Sequence, residues 1–295
     1  RGGWEKLENA DLFVRYAEKV TKELGDYADI ICTINEANLT SCFAHSFPNY
    51  PPEGIKTFLP FVDEAAKSCG SNLDNFGPFL FGHPYKIRDC MMEAHRKAFP
   101  VIKENLNNNQ PVGITLSIMD YQCIEGGEEE RDKAHAESVD ICLDQVKDDD
   151  FLGVQMYTRH TFGPDGIIMP DINTADMLVM GYEYYPESVE NVLRYVGPKI
   201  NCPMIVTENG IGTDDDQQRI NYITTALEGL QRCLDDGLDI RGYYYWSFLD
   251  NFEWLFGYKP RFGLVDVDRN TLERKSKESL KFYKAIIERS ETVET

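Results

Sequence analysis

Short apolar runs without strict alternation recur along the chain, separated by longer stretches whose apolar residues return at helical spacing. The runs are IICTIN (30–35), PVGITLSIM (111–119), FLGVQMYT (151–158), MIVTENG (204–210) and RGYYYWSFLDN (241–251). Strands covered on both faces read this way, because neither face calls for polar residues. Amphipathic helices are predicted over 7–25, 84–105, 131–149, 187–200, 216–237 and 276–290. One helix followed by five strand–helix units predicts a parallel sheet. The exception is 39–82, where FPNYPPEG and NFGPFLFG predict an extended surface loop. No linker, repeat or low-complexity tract interrupts the pattern, which predicts one domain over 1–295.

Polar side chains gather where the apolar runs end: Asn35 and Glu36, Gln155 and Tyr157, Glu208 and Asn209, Trp246. The C-terminal ends of parallel strands form the active-site rim of a (β/α)8 TIM barrel. No glycine-rich phosphate loop follows any strand, which removes support for a dinucleotide-binding fold.

Composition narrows the partners. Lys+Arg 30 against Asp+Glu 50 gives a net charge of −20, which repels nucleic acid and anionic membrane. No apolar run approaches the roughly 18 to 20 residues that span a bilayer. The eight cysteines are scattered without CxxC or Cys/His spacing, so reduced thiols and a cytoplasmic location are expected, with Cys32 read as a small hydrophobe inside its strand. The sequon Asn38-Leu39-Thr40 is read as chance. DVDRNTLERKSK imitates an EF-hand opening, but Thr271 stands where glycine is needed and Lys277 where glutamate is needed. A hairpin turn is the better reading there. The five histidines show no ligand spacing, His95 reads as a helix-face residue, and no metal or other cofactor is expected.

TINE ends one strand with Glu36 and IVTENG ends another with Glu208. In a parallel barrel both carboxylates face the same rim. Paired carboxylates across a cavity are the equipment of glycoside hydrolysis, about 5 to 5.5 Å apart in the retaining version. Taken alone, either glutamate reads more readily as a structural ion-pair member or a helix N-terminal charge; the two together, each beside an asparagine, bring the catalytic reading level with that one. A third stretch, YYYWSFLDNFEWLFGYKPRFG (243–263), sets Trp246 and Trp254 on either side of Glu253. Indoles stack on the C–H faces of sugars, and a carboxylate binds neighbouring hydroxyls. A plain core role explains the two aromatics but not the glutamate between them.

Together these stretches resemble glycoside hydrolase family 1, the retaining β-glucosidases and β-galactosidases. The likeness runs from GGWEKLENADLFVRYAEKV almost to the C-terminus: TINEA for T-x-N-E-P, VQMYT for the N-Y-Y-T strand end, VTENG for I-T-E-N-G, and WSFLDNFEW…RFG for W-S-x-x-D-N-F-E-W…RFG. The resemblance implies Glu36 as acid/base, Glu208 as nucleophile and Asn35 as donor to the sugar 2-hydroxyl. It also implies Tyr157 as partner of the nucleophile and Trp246 as sugar platform. Glu253 and Trp254 would bind the distal hydroxyls, and Phe262 would form the cavity wall. Ala37 departs from the usual proline, Gln155 and Met156 from Asn and Tyr, and Tyr182 from Trp. Gln155 is carried over as a substrate contact, with that strand end expected to be remodelled.

In the family, T-x-N-E-P ends the fourth barrel strand. The resemblance therefore implies an incomplete barrel, with strands 4 to 8 present and 1 to 3 absent from this chain. A fragment of a longer enzyme, a complementing second chain and a truncation closed by homo-oligomerisation each account for this. The expected function is hydrolysis of terminal β-D-glucosyl residues, or galactosyl or fucosyl ones, from a β-glucoside or oligosaccharide. The alternative is a catalytically silent sugar-binding or scaffold protein.

Overall fold

In the computed structural model, which describes residues 2–48, 50, 60–173 and 177–291, ten strands follow one another along the chain. They are β1 (Ile31–Cys32), β2 (Val112–Ser117), β3 (Asp120–Cys123), β4 (Phe151–Gln155), β5 (Arg159–Gly163), β6 (Gly166–Ile168), β7 (Met204–Asn209), β8 (Ile240–Tyr245), β9 (Val265–Val267) and β10 (Arg274–Ser276). The helices are α1 (Ala10–Leu24), α2 (Leu39–Ser46), α3 (Pro60–Ser68), α4 (Pro84–Asn105), α5 (Glu128–His135), α6 (Ile141–Val146), α7 (Ser188–Val196), α8 (Asp216–Asp235) and α9 (Glu278–Glu291).

The five expected strands form one sheet in chain order, β1-β2-β4-β7-β8, with every neighbouring pair parallel. Strand, helix and adjacent strand succeed one another as in a (β/α)8 barrel, and the sheet holds five strands among the described residues. β2 and β4 are buried along their whole length, as continuous apolar runs require. The main core lies between the sheet and its helices, with Ile114, Leu116, Leu152, Val154 and Val206 meeting Met91, Met92, Leu143 and Leu193. On the other face the central strands approach closely at Gly153. A Cβ there would lie 2.6 Å from Thr115 Cγ2 and 3.0 Å from Thr207 Cγ2.

Three expectations are corrected. The loop expected over 39–82 contains α2 and α3, while 49 and 51–59 lie outside the described residues. Prolines and glycines dominate the composition of that stretch, yet LTSCFAHS is free of both and forms two turns of helix. The helix expected over 131–149 is interrupted by a π-helical turn, Ala136–Asp140, between α5 and α6. Cys32 is exposed rather than enclosed, because it lies on the sheet's edge strand. A small sheet, β3-β5-β6, was not anticipated; its strands are short and mixed in direction. The reading of DVDRNTLERKSK as a turn fits the antiparallel β9–β10 pair.

Candidate active site

The C-terminal ends of β1, β4, β7 and β8 bring most of the expected residues together. Ser117, closing β2, is in register with Gln155, closing β4, and Gln155 is in register with Glu208 on β7. The Gln155 amide spends both hydrogens inside the site: Nε2 donates to Asn35 Oδ1 at 2.8 Å and to Glu208 Oε1 at 2.9 Å. The Tyr157 hydroxyl donates to the other oxygen, Glu208 Oε2, at 2.5 Å. Both oxygens of Glu208 are therefore held by neutral donors. Asn35 Oδ1 also accepts from Thr115 Oγ1 at 2.9 Å, so its acceptor end is turned inward and its amino end outward.

Glu36 follows Asn35 where the chain leaves β1. Its backbone N–H donates to Thr115 Oγ1 at 3.1 Å, and the residue is half-buried with its carboxyl group enclosed. Burial and then the Glu208 carboxylate push the Glu36 carboxyl up to about 8. A Ser117 hydrogen bond opposes that rise, and Glu253 adds to it. Burial raises Glu208 too; its hydrogen bonds from Tyr157 and Gln155 pull the other way. Glu208 is thus held from both oxygens, whereas Glu36 is raised far enough to keep its proton near neutrality.

The loop after β8 supplies the remaining wall. The Trp246–Ser247 peptide is cis. Trp246 Nε1 and Asn251 Nδ2 both donate to Glu253 Oε1, at 3.0 and 2.6 Å, which fixes this buried carboxylate and leaves Oε2 for the cleft. Phe262 is buried and meets Tyr157 edge-on, ring centres 6.2 Å apart. Tyr182 lies near the same tyrosine, at 6.5 Å, its hydroxyl buried and unpartnered among the described residues. Trp254 is not brought in: its side chain is 73% exposed, on a 3-10 turn at the rim.

Sequence reasoning missed four contributors. Thr115 and Ser117 are small polar residues inside an apolar run, and only strand register shows that they face the glutamates. Asn251 was hidden within a motif read for its aromatics. Asn38 was noted only as part of a sequon. Beside the site, Ile30, Cys32, Phe151, Ile205, Thr207, Tyr244 and Trp246 line a cavity of about 460 Å³.

Known proteins resemble the chain along most of its length. The family model described as Glycosyl hydrolase family 1 matches residues 1–180 and 169–292. Beta-glucosidase A of Acetivibrio thermocellus is 29% identical over 321 residues, covering 97% of this chain and 70% of the relative. The solved structure of beta-glycosidase BGL167 is 38% identical with a TM-score of 0.85, covering 95% of this chain and 67% of that one. The apo structure of beta-glucosidase 1317 is 34% identical with a TM-score of 0.86, over 95% and 68%. These neighbours make the five-stranded sheet part of a (β/α)8 barrel. The chain belongs to glycosyl hydrolase family 1, and with it to the glycoside hydrolases.

Proposed function

We infer that this chain hydrolyses terminal β-D-glucosyl residues by a double displacement in which Glu208 is the nucleophile and Glu36 the acid/base. The observation that carries the reading is the unequal treatment of the two carboxyls: donors on both oxygens of Glu208, and a Glu36 pushed up to about 8. In the first step Glu208 attacks the anomeric carbon while Glu36 gives its proton to the departing glycosidic oxygen. In the second, Glu36 takes a proton from water, the hydroxide oxygen bonds to the anomeric carbon, and the bond to Glu208 breaks. The outward amino group of Asn35 suits the sugar 2-hydroxyl. Trp246 offers a stacking face, Glu253 Oε2 an acceptor for distal hydroxyls and Phe262 a wall. Gln155 acts here as the bridge between Asn35 and Glu208. The carboxylate of Glu253 disfavours 6-phosphorylated sugars, and galactosyl or fucosyl glycones fit the same chemistry.

A second reading, a silent sugar-binding protein, is favoured by one observation: Asn35 is exposed beside an edge strand. Under the hydrolytic reading the edges that are unpaired among the described residues are covered by further residues of a longer enzyme, a complementing chain or a second copy, with the free thiols kept in the cytoplasm. Release of p-nitrophenol from p-nitrophenyl β-glucoside separates the two. Turnover by the wild type that disappears in Glu208→Gly supports hydrolysis; release no higher than this variant's contradicts it.

A further inference from the structure

Glu36 has a backbone φ of 49°, a left-handed conformation seldom adopted by residues with side chains. The turn that imposes it is gripped from two residues downstream. Asn38 is fully buried; its Oδ1 accepts from the Ser117 backbone N–H at 2.9 Å, and its Nδ2 donates to the carbonyls of Ser117 at 2.7 Å and Ser138 at 2.9 Å. The amide thus pairs with both backbone groups of the last residue of β2, whose side chain is among the groups that act on the Glu36 carboxyl. Its third bond reaches the π-helical turn Ala136–Asp140. Such turns interrupt the regular hydrogen-bond ladder and gather at functional sites. Next to it, Arg88 Nη1 donates to the Glu137 carbonyl.

We propose that Asn38 is the positioning residue for Glu36, clamping the left-handed turn between the end of β2 and the π-turn so that the carboxyl meets the departing glycosidic oxygen. The inference rests on reading Glu36 as acid/base. Without the clamp, Glu36 can relax towards the right-handed region, which turns its carboxyl away from Ser117 and Glu208. Glu208, Glu253, Tyr157 and Cys42 are the titratable groups coupled to it, and none of them bonds to Asn38 except Cys42, whose Sγ lies 3.5 Å from Nδ2.

The test is Asn38→Ala, with Asn38→Asp as a second variant that keeps the acceptor for Ser117 N–H and loses both donors. Competent sites are counted by the burst of dinitrophenolate from a 2-deoxy-2-fluoroglucoside, so unfolded protein does not enter the comparison. Per competent site, kcat/KM for glucosides with poor leaving groups should fall about tenfold or more, while 2,4-dinitrophenyl glucoside changes little. Equal loss for both would overturn the proposal. A carbon-13 titration of the glutamate carboxyls, assigned with Glu36→Gln, needs no turnover: Asn38→Ala should bring Glu36 down by about one unit or more. A raised wild-type value that stays unchanged in the variant sinks the positioning role alone. A wild-type Glu36 that titrates like a free glutamate sinks the acid/base reading, and this inference with it.

Discussion

At the scale of single residues, the two carboxyls predict opposite limbs of the pH profile. Under the proposed mechanism Glu208 must be ionised to attack, and its raised pKa sets a rising limb at acid pH. In the same proposal Glu36 must be protonated for the first step, so kcat/KM should fall as pH passes through about 8. Steady-state kinetics across pH should give this bell, its limbs belonging to the coupled pair rather than to either residue. Glu36→Ala should abolish the alkaline limb, with azide restoring turnover as a β-glycosyl azide; an alkaline limb that survives the substitution contradicts the assignment. Stability follows the same protons. Between the ordinary glutamate value and about 8 the folded chain binds the Glu36 proton more tightly than the unfolded chain, so stability falls as pH rises through that window. Glu36→Gln should flatten that slope.

At the scale of elements, the loop carrying Trp246 and Glu253 is pinned from behind by an ion pair between buried Asp250 and half-buried Lys277. Lys277, just before α9, reaches Asp250 at 3.0 and 3.2 Å and the Gly263 carbonyl at 2.7 Å, while Asp250 also accepts from Gly263 N–H at 2.8 Å. Breaking one side of such a pair leaves a charge stranded. Lys277→Ala should cost about 3 to 5 kcal/mol in denaturant unfolding; a loss below about 1 kcal/mol would show that water takes over the lysine's role. This contact illustrates what could be read in the sequence. The five strands were legible because apolar runs between helices have few other interpretations, and WSFLDNFEW because its residue types are rare in combination. Lys277 was read only as a failed calcium ligand, since its partner lies 27 residues away. The π-turn was invisible for a related reason: AESVD carries no signal that its hydrogen bonds are wider. Trp254 shared a motif with Glu253, yet a left-handed backbone at φ 45° sends it to the rim.

At the scale of the whole molecule, β1 and β8 each have a free side among the described residues, and large apolar side chains surround them. Tyr27, Tyr244 and Phe248 are 88%, 59% and 62% exposed. Unpaired edges of this kind invite further strands. Purified as these 295 residues alone, the chain should therefore sediment above its 33.8 kDa monomer mass, or do so once a complementing chain is added. A stable, active monomer would refute the expectation. No described helix is long and apolar enough to cross a membrane, so these residues are not explained by a helical span.

The two-residue β1 has a further consequence. Glu208 rides on β7, hydrogen-bonded to strands on both flanks, while Glu36 hangs from a strand joined, among the described residues, to the sheet on one flank only. On the proposed mechanism the halves of the reaction thus stand on unequal ground. The proton donor would be the less firmly seated of the two groups, and whatever covers that flank of β1 should govern how steadily protons are delivered.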